Sequence, residues 1–212
     1  RSQALLLKAA TASPVVWYNI RLMATDYGDK SIKTLDPVTH IRLRPGMYVG
    51  EPGTGAMYHD CIYILMKEVI DNAIDEFGQG FGKRIDVNVN YDTGEVSVRD
   101  YGRDIPLGKV VDCVSQMNTG GKYDSKAFKK SIGLNGVAVK AVNALSRHFE
   151  VRSYRDGQVR RATFEQGKLT TDTTEPTQDE NGTYIFFEPD DSLFLHYQFH
   201  DDIVENMLRN YT

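Results

Sequence analysis

A stripe of acidic and amide residues lies within the segment 68–76, EVIDNAIDE. Glu68 and Asn72 are four residues apart, so on a helix they lie on the same face. Asp75 and Glu76 extend that face by one turn. A solvated acidic surface accounts for many stripes of this kind. The chemical interpretation is a glutamate that acts as a general base, beside an asparagine whose amide oxygen binds a hard cation.

A second candidate site is the segment 100–106, DYGRDIP, at the end of a predicted strand. Alternation along the strand places Asp100 on the same face as Val96 and Val98, which is the face expected to be buried. A buried carboxylate is costly without a dedicated partner, and the exocyclic amine of a purine is such a partner. Gly102 lets a flat ring approach the backbone closely. The alternative interpretation is an ordinary Asp-x-Gly turn that ends a strand.

Glycines are concentrated in a loop between 118 and 137, which reads NTGGKYD at its start and GLNGV at its end. Glycines that lead into a helix N-terminus expose backbone N–H groups and a favourable dipole, and both suit a phosphate. Lys122 adds a positive charge. The segment lacks the Gly-Lys-Ser/Thr ending of a Walker A loop, so by itself it is a weak signal.

Helices and strands alternate irregularly around these three segments. Apolar residues at helical spacing predict a helix over 58–77, with Ile62, Met66 and Val69 on its buried face. The other predicted elements are strands at 85–91, 96–100, 149–155, 159–165 and 183–188 and helices at 107–117, 137–147 and 201–211. Strands and helices in this mixed order indicate an α+β sandwich rather than a doubly wound sheet.

The composition limits the partners of the chain. Its formal net charge is −4, whereas a domain that grips duplex DNA usually carries a basic surplus, so direct DNA binding by this chain is not predicted. Cys61 and Cys113 form no Cys-x-x-Cys pair, which fits a reducing compartment, and a cytoplasmic location is expected. No apolar run approaches the roughly 18 residues of a membrane helix, so no membrane partner is expected.

The chain divides into three predicted regions. Residues 1–22 contain no acidic residue and are interpreted as a targeting segment or as sequence that is not native to the domain. Residues 23–55 form an arm and a loop, because proline and glycine turn signals dominate them. Residues 56–212 form one domain, since no internal repeat or linker divides them.

The chain resembles the GHKL ATPases, which share the Bergerat fold, in four features that follow the family's order. These are the Glu-x-x-x-Asn helix, the Asp-x-Gly strand end, the glycine-rich lid, and Gly182 with Thr183 before a strand. The superfamily includes type II topoisomerases, Hsp90, MutL and the sensor histidine kinases. The resemblance implies a two-layer α+β sandwich in which helices cover one face of a mixed β-sheet of about eight strands.

Further segments are similar to the topoisomerase branch, namely the B-type subunits of bacterial type IIA DNA topoisomerases. They are RPGMYVG at 44–50, GGKYD at 120–124 and VNALS at 142–146, and the resemblance covers residues 27–212. These segments disfavour a MutL-like or Hsp90-like ATPase. Gyrase and topoisomerase IV both stay open, and DYGR at 100–103 favours the topoisomerase IV side. The family's C-terminal transducer domain is expected to be absent here.

The resemblance implies roles for individual residues. Glu68 matches the family's general base, and Asn72 matches its Mg²⁺ ligand. Asp100 matches the acceptor for the adenine amino group, with support from Thr183. The other residues that the resemblance places at ATP are Asp75, Glu76, Gly102, Arg103, Ile105, Pro106, Lys122, Gly133, Leu134, Asn135, Gly136, Val137, Arg155 and Tyr27.

Within that set, Arg103 and Arg155 are expected at the mouth of the adenine pocket. Lys122 and residues 133–137 are expected in the phosphate lid, and Tyr27 resembles a tyrosine that reaches a partner subunit's nucleotide. The implied cofactors are ATP and Mg²⁺. The implied activity is ATP hydrolysis coupled to DNA strand passage, with decatenation or relaxation for topoisomerase IV and negative supercoiling for gyrase. The implied partners are an A-type subunit in a heterotetramer, a second copy bound through the arm, DNA in the full assembly, and pocket inhibitors such as aminocoumarins.

The chain departs from the family pattern at two glycine positions. Asp104 stands at the last glycine of Asp-x-Gly-x-Gly, and Ala138 stands at the last glycine of the lid motif. If the first position takes a positive φ, a side chain there is strained. Asn135 replaces a histidine that is common in gyrases. Asp104, together with the expected absence of the transducer domain, motivates an alternative function, a nucleotide-binding module with little turnover on its own.

Overall fold

The chain is described by a computed structural model that covers residues 4–8, 17–21, 34–117, 119 and 137–211. It forms two compact units, residues 1–35 and residues 36–212. In the first unit, β1 (Ala4–Lys8) and β2 (Trp17–Arg21) pair antiparallel. All the other helices and strands described below belong to the second unit.

The helices of the second unit carry most of the predicted site. Those in its described part are α1 (Pro37–Leu43), α2 (Gly46–Val49), α3 (Cys61–Gly78), α4 (Val110–Ser115), α5 (Ala138–Ala144) and α6 (Asp201–Arg209). The helix predicted over 58–77 is confirmed as α3, and the one predicted over 137–147 ends earlier because a strand starts at Ser146. Across the described residues, no helix combines the length and apolarity needed to cross a membrane.

Two of these helices, α1 and α2, lie in the region that the sequence predicts as arm and loop. Asp36 caps α1 by accepting a hydrogen bond from the backbone N–H of Thr39 at 3.0 Å, and Pro37 occupies its first turn. The Asp-Pro pair therefore starts a short helix rather than a turn.

The sheet of the second unit has six strands in the order β3-β4-β8-β5-β6-β7, and every neighbouring pair is antiparallel. The strands are β3 (Ile85–Val89), β4 (Val96–Asp100), β5 (Ser146–Arg155), β6 (Gln158–Glu165), β7 (Lys168–Pro176) and β8 (Gly182–Pro189). The predicted α+β class is confirmed. The sheet differs from the predicted mixed sheet of about eight strands: within the described residues it has six strands, and none of their neighbouring pairs is parallel.

The core lies between the sheet and the helices α3, α4 and α5, which contact its strands. In β4 the side chains of Val96, Val98 and Asp100 are buried, whereas those between them are partly exposed. The predicted alternation of this strand is therefore confirmed, including the burial of its terminal aspartate. β7 was not predicted as a strand, and all of its residues are exposed, so its sequence carries no alternating pattern.

A buried carboxylate just after β8 joins several of these elements. Asp190 accepts hydrogen bonds from Arg42 on α1 at 2.6 Å, from Gln166 in the turn after β6 at 2.8 Å, and from the hydroxyl of Ser192 at 2.6 Å. Arg42 also donates to the carbonyl oxygen of Ala144 at 2.9 Å. Burial alone would raise the pKa of Asp190, but the bonds from Ser192 and Arg42 outweigh it and hold the pKa below its usual range.

We expect Asp190→Ala to lower the free energy of unfolding by about 3 kcal/mol, because it leaves Arg42 without its buried partner. Asp191 is a matched control, since its side chain is 68% exposed and pairs with Arg147 at 3.4 Å. Asp191→Ala should change the stability by no more than about 0.5 kcal/mol. Urea unfolding of both variants measures the two effects, and equal losses would contradict the assignment.

Candidate functional site

The acidic and amide stripe lies in the interior of α3. Asp75 is buried, and Glu68, Asn72 and Glu76 are half-buried along the same face. The amide nitrogen of Asn72 donates to the carbonyl oxygen of Glu68 at 2.7 Å, and this bond orients the amide group. The helix thus presents a carboxylate and a hard oxygen donor one turn apart, as the sequence predicts.

Contacts just before α3 and at its middle fix this helix in the second unit. Before the helix, the carboxylate of Asp60 accepts the backbone N–H groups of Gly55 and Met57 at 2.8 and 3.1 Å. Further along, the hydroxyl of Tyr211 donates to the buried Asp71 at 2.5 Å. Burial and this hydrogen bond raise the pKa of Tyr211. These two contacts help to hold the helix that carries the stripe.

Asp100 ends β4 with its side chain buried. Its Oδ1 accepts the backbone N–H groups of Gly102 at 2.9 Å and of Thr183 at 3.2 Å. Burial raises the pKa of Asp100, although both hydrogen bonds oppose that shift. Gly182 makes this approach possible, because its φ is +135° and an added Cβ would lie 2.2 Å from the carbonyl oxygen of Asp100.

The turn that follows β4 packs against α3. Arg103 forms a two-pronged pair with Glu76, with its Nε 3.0 Å and its Nη2 3.2 Å from the two carboxylate oxygens. The ring of Phe81 lies 4.0 Å from the Arg103 guanidinium on another side. An added Cβ on Gly102 would lie 3.0 Å from the Cβ of Glu76, so the turn is as close to the helix as a glycine allows.

Asp104 has a positive φ, which is unusual for a residue other than glycine. Its φ is +68°, a backbone conformation that glycine, asparagine and aspartate tolerate best. Its side chain is 1% exposed, and Nη1 of Arg155 lies 3.2 Å from its Oδ1. Burial raises the pKa of Asp104 to about 6, although Arg155 opposes that shift. The position therefore does take a positive φ, and the aspartate there is both strained and partly desolvated.

Residues on β5 complete this part of the site. The hydroxyl of Ser153 donates to the carbonyl oxygen of Ile105 at 2.5 Å, and Ser153 pairs with Thr183 of β8 across the sheet. Pro106 is exposed and precedes a single 3₁₀ turn. Neither Ser153 nor Phe81 was among the site residues predicted from the sequence. Alternation along the predicted strand 149–155 would have placed Ser153 on the same side as Arg155.

The phosphate-lid prediction is only partly within the described residues. Val137 is half-buried immediately before α5, and Ala138 is the first residue of that helix. Lys140 was not predicted as a site residue either: it is 6% exposed, and its Nζ donates to the carbonyl oxygen of Thr119 at 2.5 Å. A lysine within an apolar helical segment was the available signal. The predicted site residues outside the described part are Tyr27, Lys122, Gly133, Leu134, Asn135 and Gly136.

The described site therefore gathers the stripe of α3, the end of β4, the turn after it, and the facing ends of β5 and β8. In this part of the chain, no group of three or more His, Cys, Asp or Glu side chains is arranged to hold a metal ion. Asn72 offers one amide oxygen of the kind that hard cations bind.

Comparisons with known proteins match most of the chain. Residues 59–192 match the family described as "Histidine kinase-, DNA gyrase B-, and HSP90-like ATPase". The chain is 46% identical over 186 residues to the B-type subunit of DNA topoisomerase 4 from Borreliella burgdorferi. This alignment covers 88% of the chain and 31% of that protein. The chain is also 39% identical over 194 residues to the B-type subunit of DNA gyrase from Thermotoga maritima. That alignment covers 86% of the chain and 29% of the gyrase subunit.

The fold of the chain is also similar to that of a solved structure. The 43K ATPase domain of Thermus thermophilus gyrase B, in complex with an aminocoumarin, superimposes with a TM-score of 0.65 at 27% identity, over 82% of this chain and 44% of that chain. The chain spans less than a third of the length of the two curated relatives above, at 31% and 29%.

We expect the pKa of about 6 at Asp104 to make stability depend on pH. Because the folded state binds this proton more tightly than the unfolded state, stability should fall as the pH rises from about 4 to about 6. Asp104→Asn keeps the tolerance for positive φ but carries no charge, so it should remove up to about 3 kcal/mol of this dependence. Urea unfolding of both proteins across this pH range gives the difference, and parallel curves would contradict the shift.

Proposed function

The chain belongs to the family of histidine kinase-, DNA gyrase B- and HSP90-like ATPases, and we propose that it binds ATP between α3, the end of β4 and the start of β8 and hydrolyses it. The observation that carries the proposal is the buried carboxylate of Asp100, held by two backbone N–H groups beside the acidic stripe. A donor from a bound molecule would add to these two bonds and further offset the desolvation of the carboxylate.

The adenine end of ATP would lie at Asp100. Both backbone hydrogen bonds to this carboxylate end on Oδ1, so Oδ2 is the atom proposed to accept the adenine amino group. Gly102 and Ile105 would line the flat faces of the base, and Thr183 would support the same contact. Arg103, fixed by Glu76, would border the opening of the pocket.

The phosphates would lie nearer the stripe of α3. We propose that the amide oxygen of Asn72 holds Mg²⁺ together with phosphate oxygens, which fits an amide whose nitrogen already donates to Glu68. When bound, Mg²⁺ would screen the phosphate charges. Lys122, Val137 and residues 133–136 are proposed to form the lid over the phosphates.

Glu68 is the proposed general base. It would take a proton from a water molecule as the water oxygen bonds to the γ-phosphorus and the bond to the β,γ-bridging oxygen breaks, which yields ADP and phosphate. Its half-buried position on α3, one turn before Asn72, would place it beside the terminal phosphate. Asp75 and Glu76 extend the same face, and they would shape the site rather than accept the proton.

In the whole protein, we propose that this domain supplies ATP hydrolysis to a type IIA DNA topoisomerase in the bacterial cytoplasm. The names of the relatives support this: they are the B-type subunits of topoisomerase IV and of gyrase. Its partners would be an A-type subunit, DNA held by other domains, and a second copy bound through the arm that contains Tyr27. Aminocoumarins would compete for the ATP pocket. Decatenation and supercoiling assays of the assembled subunits would distinguish topoisomerase IV from gyrase.

One observation favours a second candidate function, a nucleotide-binding module with little turnover on its own. Asp104 is strained at a φ of +68° in the turn that is proposed to line the adenine pocket. Steady-state ATP turnover by this chain, compared with that of a longer protein carrying the next domain, would separate the two functions.

We expect Glu68→Ala to lower ATP turnover by at least about 100-fold, because the attacking water loses its general base. Binding of the non-hydrolysable β,γ-imido analogue of ATP should stay within about threefold, because Glu68 does not hold the nucleotide. Glu205→Ala on α6 is the control, since that exposed residue pairs with Arg209, four positions later on the same helix, at 2.6 Å. Phosphate release near the unmodified rate in Glu68→Ala would overturn the role.

We expect Asp100→Asn to weaken binding of the same analogue by roughly 10-fold to 100-fold, the loss typical of a hydrogen bond to a charged group. The matched control is Asp172→Asn on the edge strand β7, where the aspartate pairs with Arg160 at 2.6 Å. Calorimetric titration measures both variants. If the Asp100 variant bound the analogue as tightly as the control, the adenine contact would be wrong.

A further inference from the structure

Two residues on one side of β5 hold the turn that would line the adenine pocket. Ser153 donates to the carbonyl oxygen of Ile105 at 2.5 Å, and Arg155 pairs with the carboxylate of Asp104 at 3.2 Å. They are two positions apart on the strand, so their side chains point to the same face. The turn 102–106 is therefore attached to the sheet by a neutral contact and by a charged one.

The charged contact depends on the residue that departs from the family pattern. A glycine at position 104 would adopt a φ of +68° at little cost, but it would offer Arg155 no carboxylate. The aspartate is strained, and its side chain is almost completely buried, with 1% of its surface exposed. Such a conformation persists where the surrounding structure fixes it, and strained residues cluster at binding sites.

Resting on the proposed ATP site, we propose that Asp104 and Arg155 form a clasp that positions the adenine-binding turn, and that protonation of Asp104 opens the clasp and weakens nucleotide binding. Asp104 is thus a positioning residue, which acts through the backbone of Gly102 and Ile105. Closing the clasp would keep the turn at the spacing that a flat base requires.

The charges around Asp104 come from three elements. From β5 and the turn after it, Arg155 favours the ionised carboxylate and Asp156 disfavours it; from the end of β4, Asp100 also disfavours it. On α3, Glu76 faces the same turn but is engaged by Arg103. With the pKa of Asp104 at about 6, the clasp is closed at neutral pH and opens in mildly acidic solution. The Arg155 side chain is 41% exposed, so solvent limits the strength of the pair.

The test is calorimetric titration of the 212-residue chain with the β,γ-imido analogue of ATP at about pH 7.5 and about pH 5. At the higher pH, Asp104→Asn and Arg155→Gln should each weaken binding about twofold to fivefold, as expected for a half-exposed ion pair. The double variant should be no weaker than either single variant, because both remove the same contact. At the lower pH, the unmodified chain and Asp104→Asn should bind equally. The ratio of their dissociation constants at one pH is the quantity compared, because the titration of the nucleotide and of Asp100 affects both proteins alike.

Two further variants separate positioning from folding and from net charge. Asp104→Gly removes the strain and the carboxylate together, so it should bind more weakly at neutral pH without being less stable in urea. Asp191→Asn makes the same change of charge in a pair with Arg147 at 3.4 Å near the start of β5, and it should bind like the unmodified chain. Equal affinity of Asp104→Asn and the unmodified chain at neutral pH, or additive losses in the double variant, would overturn the clasp. If the unmodified chain did not bind the analogue at all, the proposed function would fail instead.

Discussion

The structure of the site depends on one buried carboxylate. Asp100 must receive hydrogen bonds in place of water, and its donors are the backbone N–H groups of Gly102 and Thr183. The first requires a tight turn immediately after β4. The second requires β8, which is far from β4 in the sequence, to lie directly beside it. A glycine must then begin β8, because an added Cβ on Gly182 would collide with the carbonyl oxygen of Asp100.

A second constraint is the concentration of negative charge around the same turn. Glu76 and Asp104 flank Asp100, and each is matched by an arginine from a different element, Arg103 in the turn and Arg155 on β5. Burial and, to a smaller extent, the nearby carboxylate of Glu76 raise the pKa of Asp100, although its two backbone hydrogen bonds oppose that shift. Each ion pair thus lowers the repulsion that the others feel, which couples the helix, the turn and the strand electrostatically.

Much of this arrangement could be predicted from local patterns. Helical spacing located α3 and its stripe, and strand alternation placed Asp100 on the buried face of β4. The position of β8 in the sheet could not be read locally, because it is set by pairing between strands that are far apart in the chain. β7 escaped prediction because none of its side chains is buried. The pairing of Asp104 with Arg155 joins residues 51 positions apart, and only the folded sheet brings them together.

The exposed strand β7 also bears on how copies of this domain can meet. It is an edge of the six-stranded sheet, and an edge offers unpaired backbone groups to any further strand. Its residues KLTTDTTEP include charges of both signs and end in a proline, which cannot donate a backbone hydrogen bond. Growth of the sheet by edge-to-edge pairing is therefore disfavoured at β7, so the domain is protected from aggregation along this edge.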